Sequence, residues 1–226
     1  MRKVLLAGVA ALSVLYVSAA RAAEFKIEQR SANTAVLQVR GVTQIDDIHA
    51  VQSVIDKLAS MRKVLVDLDS GGGYLGPAAT LGLFIYARGW DTVVWSGATC
   101  TSACAYIWLA GKTHWYARGA FIGFHGSCDC TLETPVHLRR RSAQGDTYLI
   151  AYMKKIGIPD NVITWALSLP PTNMLELSEL EMGNLPLEAT KRAKVLEPLE
   201  ELTEDKPPPM IILKSKLAGE RGANTP

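Results

Sequence analysis

The stretch KVLVDLDSGGG, Lys63 to Gly73, decides how the chain reads. Lys63 to Leu68 is a short run rich in β-branched and aliphatic residues, the composition of a buried strand. It stops at Asp69-Ser70-Gly71-Gly72-Gly73. Successive glycines admit backbone conformations closed to other residues and let another group approach closely. A helix is expected next, over about Gly76 to Ala87, ended by Arg88-Gly89.

The same order recurs downstream. Thr92 to Trp95 reads as a strand, Gly97 to Ser102 as a turn, and Ala103 to Ala110 as an apolar helix stopped by Gly111. Phe121 to Phe124 is a further strand and ends at His125-Gly126. Alternating strands and helices predict an α/β fold with right-handed crossovers. Upstream, Phe25 to Glu28 and Ala35 to Val39 alternate as short strands around Asn33-Thr34. From Gln44 to Ser60, Ile45, Ile48, Val51, Val54, Ile55 and Leu58 recur at helical spacing, with Asp46-Asp47 in the first turn. Helices are also expected over Arg139–Lys155 and Pro159–Leu169, with a helical turn over Ser178–Met182.

The two ends differ from this core. Arg2 and Lys3 precede an apolar run from Val4 to Val17, and Ala20-Arg21-Ala22 fits a small-residue cleavage site. That run is 14 residues, short of the roughly 20 needed to span a bilayer. Residues 1–22 therefore read as a signal peptide cut near Ala22, which predicts an exported protein with no stable membrane insertion. Cleavage removes three basic residues and no acid, turning the formal +2 into −1. Neither value argues for a nucleic-acid partner. A main domain is expected over 23–186. Residues 187–226, with Pro207-Pro208-Pro209 and many charges but no aromatic, read as a weakly ordered tail.

The 48% hydrophobic content excludes a disordered chain. The four cysteines, Cys100, Cys104, Cys128 and Cys130, form two tight pairs in sequence. In an oxidising compartment they are disulfide candidates, and three pairings are open. Their spacings match no standard zinc module, so neither a metal nor another cofactor is expected.

Three segments could carry chemistry. The glycines after Asp69-Ser70 could aim N–H groups at an oxyanion, although they lack the Lys-Ser/Thr that follows a nucleotide-binding loop. Thr101-Ser102-Ala103-Cys104 opens a helix, so either Ser102 is a nucleophile near the helix dipole, or Ser102 or Thr101 is simply an N-cap. His125 follows an apolar strand between glycines and is placed to reach a cleft. His49, His114 and His137 read as surface or structural residues. Gly73, Ser102 and His125 each follow a strand, so all three could face one sheet edge.

At these residues the sequence resembles the Clp protease proteolytic subunit and its relatives. Asp-Ser-Gly-Gly-Gly is similar to their N-S-P-G-G turn, with Gly71 in place of the proline. Thr101 to Cys104 is similar to their nucleophile turn, and Ile122 to Gly126 to their hydrophobic-x-H-x-P base strand. The steps, 29 residues from Gly73 to Ser102 and 23 from Ser102 to His125, also agree. The likeness covers about residues 36 to 186 and is strongest to exported, cysteine-bearing Clp-like proteins of Gram-negative bacteria.

The resemblance implies a ClpP/crotonase-like fold of repeated β-β-α units with a helical C-terminal part. It implies a periplasmic serine hydrolase acting on a peptide or protein, with Ser102 as nucleophile, His125 as general base, and Gly73 and Ala103 as oxyanion-hole donors. Asn173 stands where the family carries its third, acidic residue; Asp160 and Glu176 are the substitutes. A disulfide joining Cys100 or Cys104 to Cys128 or Cys130 would staple the nucleophile loop to the base loop. The family forms rings, which implies self-association, here through the Arg139–Lys155 helix. The alternatives are a non-catalytic binding or scaffold protein on the same fold, a Cys104 nucleophile, and an acyl-CoA enzyme of the crotonase type.

Overall fold

The computed structural model describes residues 22–177 and 193–196. The segment expected to be a signal peptide, up to residue 21, the helical turn expected over 178–182 and the rest of the expected tail lie outside the described residues.

The strands are β1 (Glu24–Ser31), β2 (Thr34–Thr43), β3 (Lys63–Gly73), β4 (Asp91–Val94), β5 (Thr99–Thr101), β6 (His114–Ala117), β7 (Phe121–Phe124), β8 (Leu175–Leu177) and β9 (Ala193–Leu196). The helices are α1 (Asp47–Leu58), α2 (Leu75–Arg88), α3 (Ala103–Trp108), α4 (Ala143–Lys155) and α5 (Asp160–Ala166). The class is α/β, and the order β1-β2-α1, β4-β5-α3 and β6-β7 before α4 gives the β-β-α units expected. No described helix is long and apolar enough to cross a membrane.

Local chemistry explains the helix limits. Gly89 ends α2 in the left-handed conformation, φ 63°, and its N–H bonds back to the last turn. Ser142 caps α4 by accepting from the Gly145 N–H at 3.2 Å. The helix expected from Arg139 therefore starts four residues later. Helix α1 buries Val51, Val54 and Leu58, one face at helical spacing. All six residues of α3 are buried, so it is the central helix of the core. Leu37 and Val39 of β2 and Val66 and Leu68 of β3 have no exposed surface. Each such side chain contributes roughly 1.5–3 kcal/mol of burial.

Strand β3 organises the sheet. Its Leu65–Asp67 pair in parallel with β4, and its Ser70 pairs with Cys100 of β5. The sheet thus forks into a branch β4-β6-β9 and a branch β5-β7-β8. On the other side β3 runs parallel to β2.

Two expectations change here. The glycine segment was expected to be a turn after Leu68, yet β3 continues through Gly73. The register shifts between Arg40 and Val42 of β2, after which Val42 and Thr43 go on pairing with Gly72 and Gly73. The tail is also not wholly a separate appendage: Ala193–Leu196 pair in parallel with β6.

Candidate active site

Strands β3, β5 and β7 lie side by side and parallel. Gly73 ends β3, Ser102 follows β5 and His125 follows β7. All three sit at the carboxyl ends of neighbouring parallel strands, where α/β sheets place their ligands. Gly73, Ser102 and His125 line one cleft of about 540 Å³.

Ser102 has φ 56° and ψ −126°, the one positive φ outside glycine among the described residues. Such a conformation costs about 1–3 kcal/mol and persists only where the surroundings enforce it. Here its N–H donates to the Gly123 carbonyl of β7 at 2.9 Å, and its carbonyl accepts from the Ala105 N–H at 3.0 Å. Its side chain makes no capping bond to α3. The N-cap alternative therefore fails, and the hydroxyl is left to the cleft.

The glycine segment is the mould around this turn. A Cβ on Gly72 would stand 2.7 Å from the Ser102 Cβ and 2.8 Å from the Ala103 nitrogen. A Cβ on Gly73 would meet the Thr43 carbonyl at 2.2 Å. Both positions have positive φ, 97° and 124°. Only glycine fits at either. The preceding polar pair is structural: Asp69 Oδ1 accepts from the Thr99 N–H at 2.9 Å, and Ser70 Oγ accepts from the Gly72 N–H at 3.1 Å. Ala103 opens α3, so its N–H has no partner within that helix.

His125 is 6% exposed. Its Nδ1 lies 2.6 Å from the Gly126 carbonyl oxygen. A carbonyl can only accept, so Nδ1 carries the ring proton and Nε2 is the bare nitrogen. Burial lowers the His125 pKa below its ordinary value. The Gly126 bond opposes that shift, nearby Arg139 adds to it, and Asp146 opposes it. The ring is neutral near pH 7, as a general base must be. The Tyr106 hydroxyl donates to the His125 carbonyl at 2.6 Å, and the Tyr152 hydroxyl to the Tyr106 carbonyl at 2.8 Å. Ser102 and His125 share the cleft without a direct hydrogen bond; such bonds often tighten only when substrate is present.

Other expected partners stand elsewhere. The Asn173 side chain is exposed, and its Oδ1 accepts from the Thr172 hydroxyl at 2.8 Å. A turn closed by Asn173 N–H to the Pro170 carbonyl, 2.9 Å, carries it off, while Gly126 occupies His125 Nδ1. Asn173 thus does not orient the histidine. Asp160 pairs with Lys154 at 3.3 Å, and Glu176 is exposed on β8, so neither replaces it. His49 and His137 are exposed, and His114, the first residue of β6, is buried.

The cysteines correct a second expectation. Cys100 bonds to Cys104 and Cys128 to Cys130. No bridge joins the two loops. The chain reverses sharply at Ser102, which returns Cys104 to Cys100 with Cα atoms 5.1 Å apart. That bond covalently closes the turn holding Ser102, and it removes Cys104 as a nucleophile. Cys128 and Cys130 are half-exposed on the wall of the cleft.

Sequence reading missed Ser127, Arg141 and Asp146. The Ser127 N–H donates to Asp146 Oδ1 at 2.7 Å. Ser127 Oγ lies 2.7 Å from the Ser142 carbonyl and 2.8 Å from Asp146 Oδ1, so its one proton is shared between them. Arg141 Nε donates to Asp146 Oδ2, and its Nη2 to the Leu167 carbonyl at 2.6 Å. Asp146 is 9% exposed. In sequence it is an acid in the first turn of a helix, a position the dipole alone explains.

No family model matches the sequence, and no curated protein matches it. Solved structures do. One is a variant of the 1510-N membrane-bound stomatin-specific protease, at 18% identity and TM-score 0.49, over 71% of this chain and 78% of that one. Another is a ClpP1 variant from Listeria monocytogenes, at 14% identity and TM-score 0.43, over 66% and 85%. A third is an enoyl-CoA hydratase from Bacillus anthracis, at 10% identity and TM-score 0.44, over 71% and 66%.

Proposed function

We propose that this chain is a Clp-like serine hydrolase, a peptidase, with Ser102 as nucleophile and His125 as general base. One observation carries the reading. The single non-glycine residue of positive φ among those described is a serine, on a cleft it shares with a buried neutral histidine whose Nδ1 proton is fixed. In the reaction Ser102 Oγ attacks a substrate carbonyl and His125 Nε2 takes the hydroxyl proton. The tetrahedral oxyanion is held by the N–H groups of Gly73 and Ala103. His125 gives its proton to the leaving amine, and an acyl-enzyme remains. Water, activated by the same histidine, releases the acid and restores Ser102.

The cleft wall suits a peptide with an apolar side chain: Val42, Leu75, Leu132 and Met174 line it, beside Arg139. The two disulfides support export into an oxidising, periplasmic compartment after loss of residues 1–22. Exposed Tyr148 and Ile150 on α4 support self-association through that helix. Fractionation of cells and sedimentation of the purified protein test these two points. A fluorophosphonate probe tests the chemistry. Covalent labelling that disappears in Ser102→Ala is the expected result; an unlabelled wild type, or labelling that survives the substitution, defeats it.

A second reading, a binding protein on the same fold, draws on the placement of Asn173 and the missing Ser102–His125 bond. It predicts a folded, peptide-binding protein that the probe never labels.

A further inference from the structure

We propose that Asp146 is the positioning acid of this site and acts on His125 through the single peptide group that joins Gly126 to Ser127. This rests on the hydrolase reading and supplies the third member that Asn173 does not.

The geometry is specific. The Gly126 carbonyl and the Ser127 N–H belong to one peptide unit. Its oxygen accepts from His125 Nδ1 at 2.6 Å, and its N–H donates to Asp146 Oδ1 at 2.7 Å. In a trans peptide these two groups point in opposite directions. His125 and Asp146 therefore bind opposite edges of one rigid plane. The backbone leading into this plane is held as well: the Gly126 N–H, in the preceding peptide, donates to the Leu169 carbonyl at 2.8 Å, and Arg141 packs so closely that a Cβ on Gly126 would stand 3.0 Å from its Nε.

A carboxylate at the N–H end polarises the peptide and makes its carbonyl oxygen a stronger acceptor. The imidazole is thereby held in the Nδ1–H tautomer, with Nε2 available as base. In a direct triad the acid touches the imidazole; here one amide group stands between them. The other charged or titratable groups around His125 are Arg139 and Asp129 on the cleft wall, Arg141 on the Asp146 carboxylate, and Tyr106 of α3 against the His125 carbonyl. Arg139 works against protonation of the ring and Asp146 works for it.

The test uses the full oxidised chain with ¹⁵N-labelled histidine. Asp146→Asn keeps an oxygen that can accept from Ser127 and removes the charge. The expected result is a lower His125 pKa, some Nε2–H tautomer, and a fluorophosphonate labelling rate down about 10- to 100-fold. Arg141→Gln leaves Asp146 less neutralised, so the His125 pKa should rise. A merely structural role would not move the two variants in opposite directions. Both variants titrating like the wild type overturns the proposal. If Asp146→Asn does not fold, an unchanged titration in Arg141→Gln overturns it alone. An unlabelled wild type strikes the hydrolase reading instead and leaves the histidine titration to judge the coupling.

Discussion

Gly72→Ala is the sharpest perturbation of the serine turn. The new Cβ would lie 2.6 Å from the Thr101 carbonyl oxygen, 2.7 Å from the Ser102 Cβ and 2.8 Å from the Ala103 nitrogen. None of these is the end of a flexible side chain, so backbone must move. Overpacking of this kind costs about 1–3 kcal/mol. A residue with Cβ held at φ 97° adds about 1–2 kcal/mol. The sum, about 2–5 kcal/mol, is a large share of the 5–15 kcal/mol that holds an ordinary domain. Gly71→Ala is the internal control, because its Cβ would meet only the Val42 Cγ2, at 3.8 Å. That change should stay within about 1 kcal/mol of wild type. Urea unfolding of the three proteins measures the difference. Fluorophosphonate labelling measures the second effect, since shifting Ser102 by about 1 Å should slow it about 100-fold. If Gly72→Ala matches Gly71→Ala in both stability and labelling rate, the glycine does not mould the serine turn and the reasoning fails.

The His125 pKa is lowered by burial, so the unfolded chain takes up a proton at about pH 6.5 while the folded chain does so only at lower pH. Stability should fall as pH drops from about 6.5 through the folded pKa, and His125→Gln should remove part of that slope in urea titrations between pH 7.5 and 5. The acid limb of the labelling rate should lie below pH 6.5 for the same reason. Mild reductant should open Cys128–Cys130 first, because it is half-exposed while Cys100 and Cys104 are at most 1% exposed. Peptide mapping after timed alkylation would show the order, and early loss of the buried bridge would contradict it. Replacing both Cys100 and Cys104 by alanine should cost about 2 kcal/mol for a closed loop of five residues. It should also slow labelling of Ser102 beyond what the stability loss explains; unchanged labelling would mean the turn holds without its clamp.

The site's three strand ends were legible because each couples a change of backbone period to a residue type with its own chemistry. KVLVDL gives way to glycines, a strand gives way to Ser102, and an apolar run stops at His125. Short β5 and β8 have three residues each, too few to show a period. The continuation of β3 through its glycines depended on its pairing with β2, where three steps from Asp69 to Gly72 face two from Arg40 to Val42, a bulge in β3 itself. Asn173 was placed by likeness of motif, yet a local turn at Pro170 decides where its side chain goes. The disulfide pairing needed the reversal at Ser102, and four cysteines leave three pairings open to any reader of the sequence. Asp146 reaches the Ser127 N–H only after α4 has docked beside the Gly126–Ser127 peptide, a tertiary event with no local signature.

Strand β9 carries a consequence for the life of the molecule after synthesis. It lies against His114–Ala117 and occupies the backbone donors and acceptors along that side of β6. A protease that trimmed the chain before Ala193 would leave that row bare, a template on which a foreign strand can add. The trimmed form should be more adhesive than the parent, pairing edge to edge with another copy or capturing an extended peptide far from Ser102. Light scattering of the two forms at equal concentration would reveal the change, and equal scattering would show that β9 does not guard the edge.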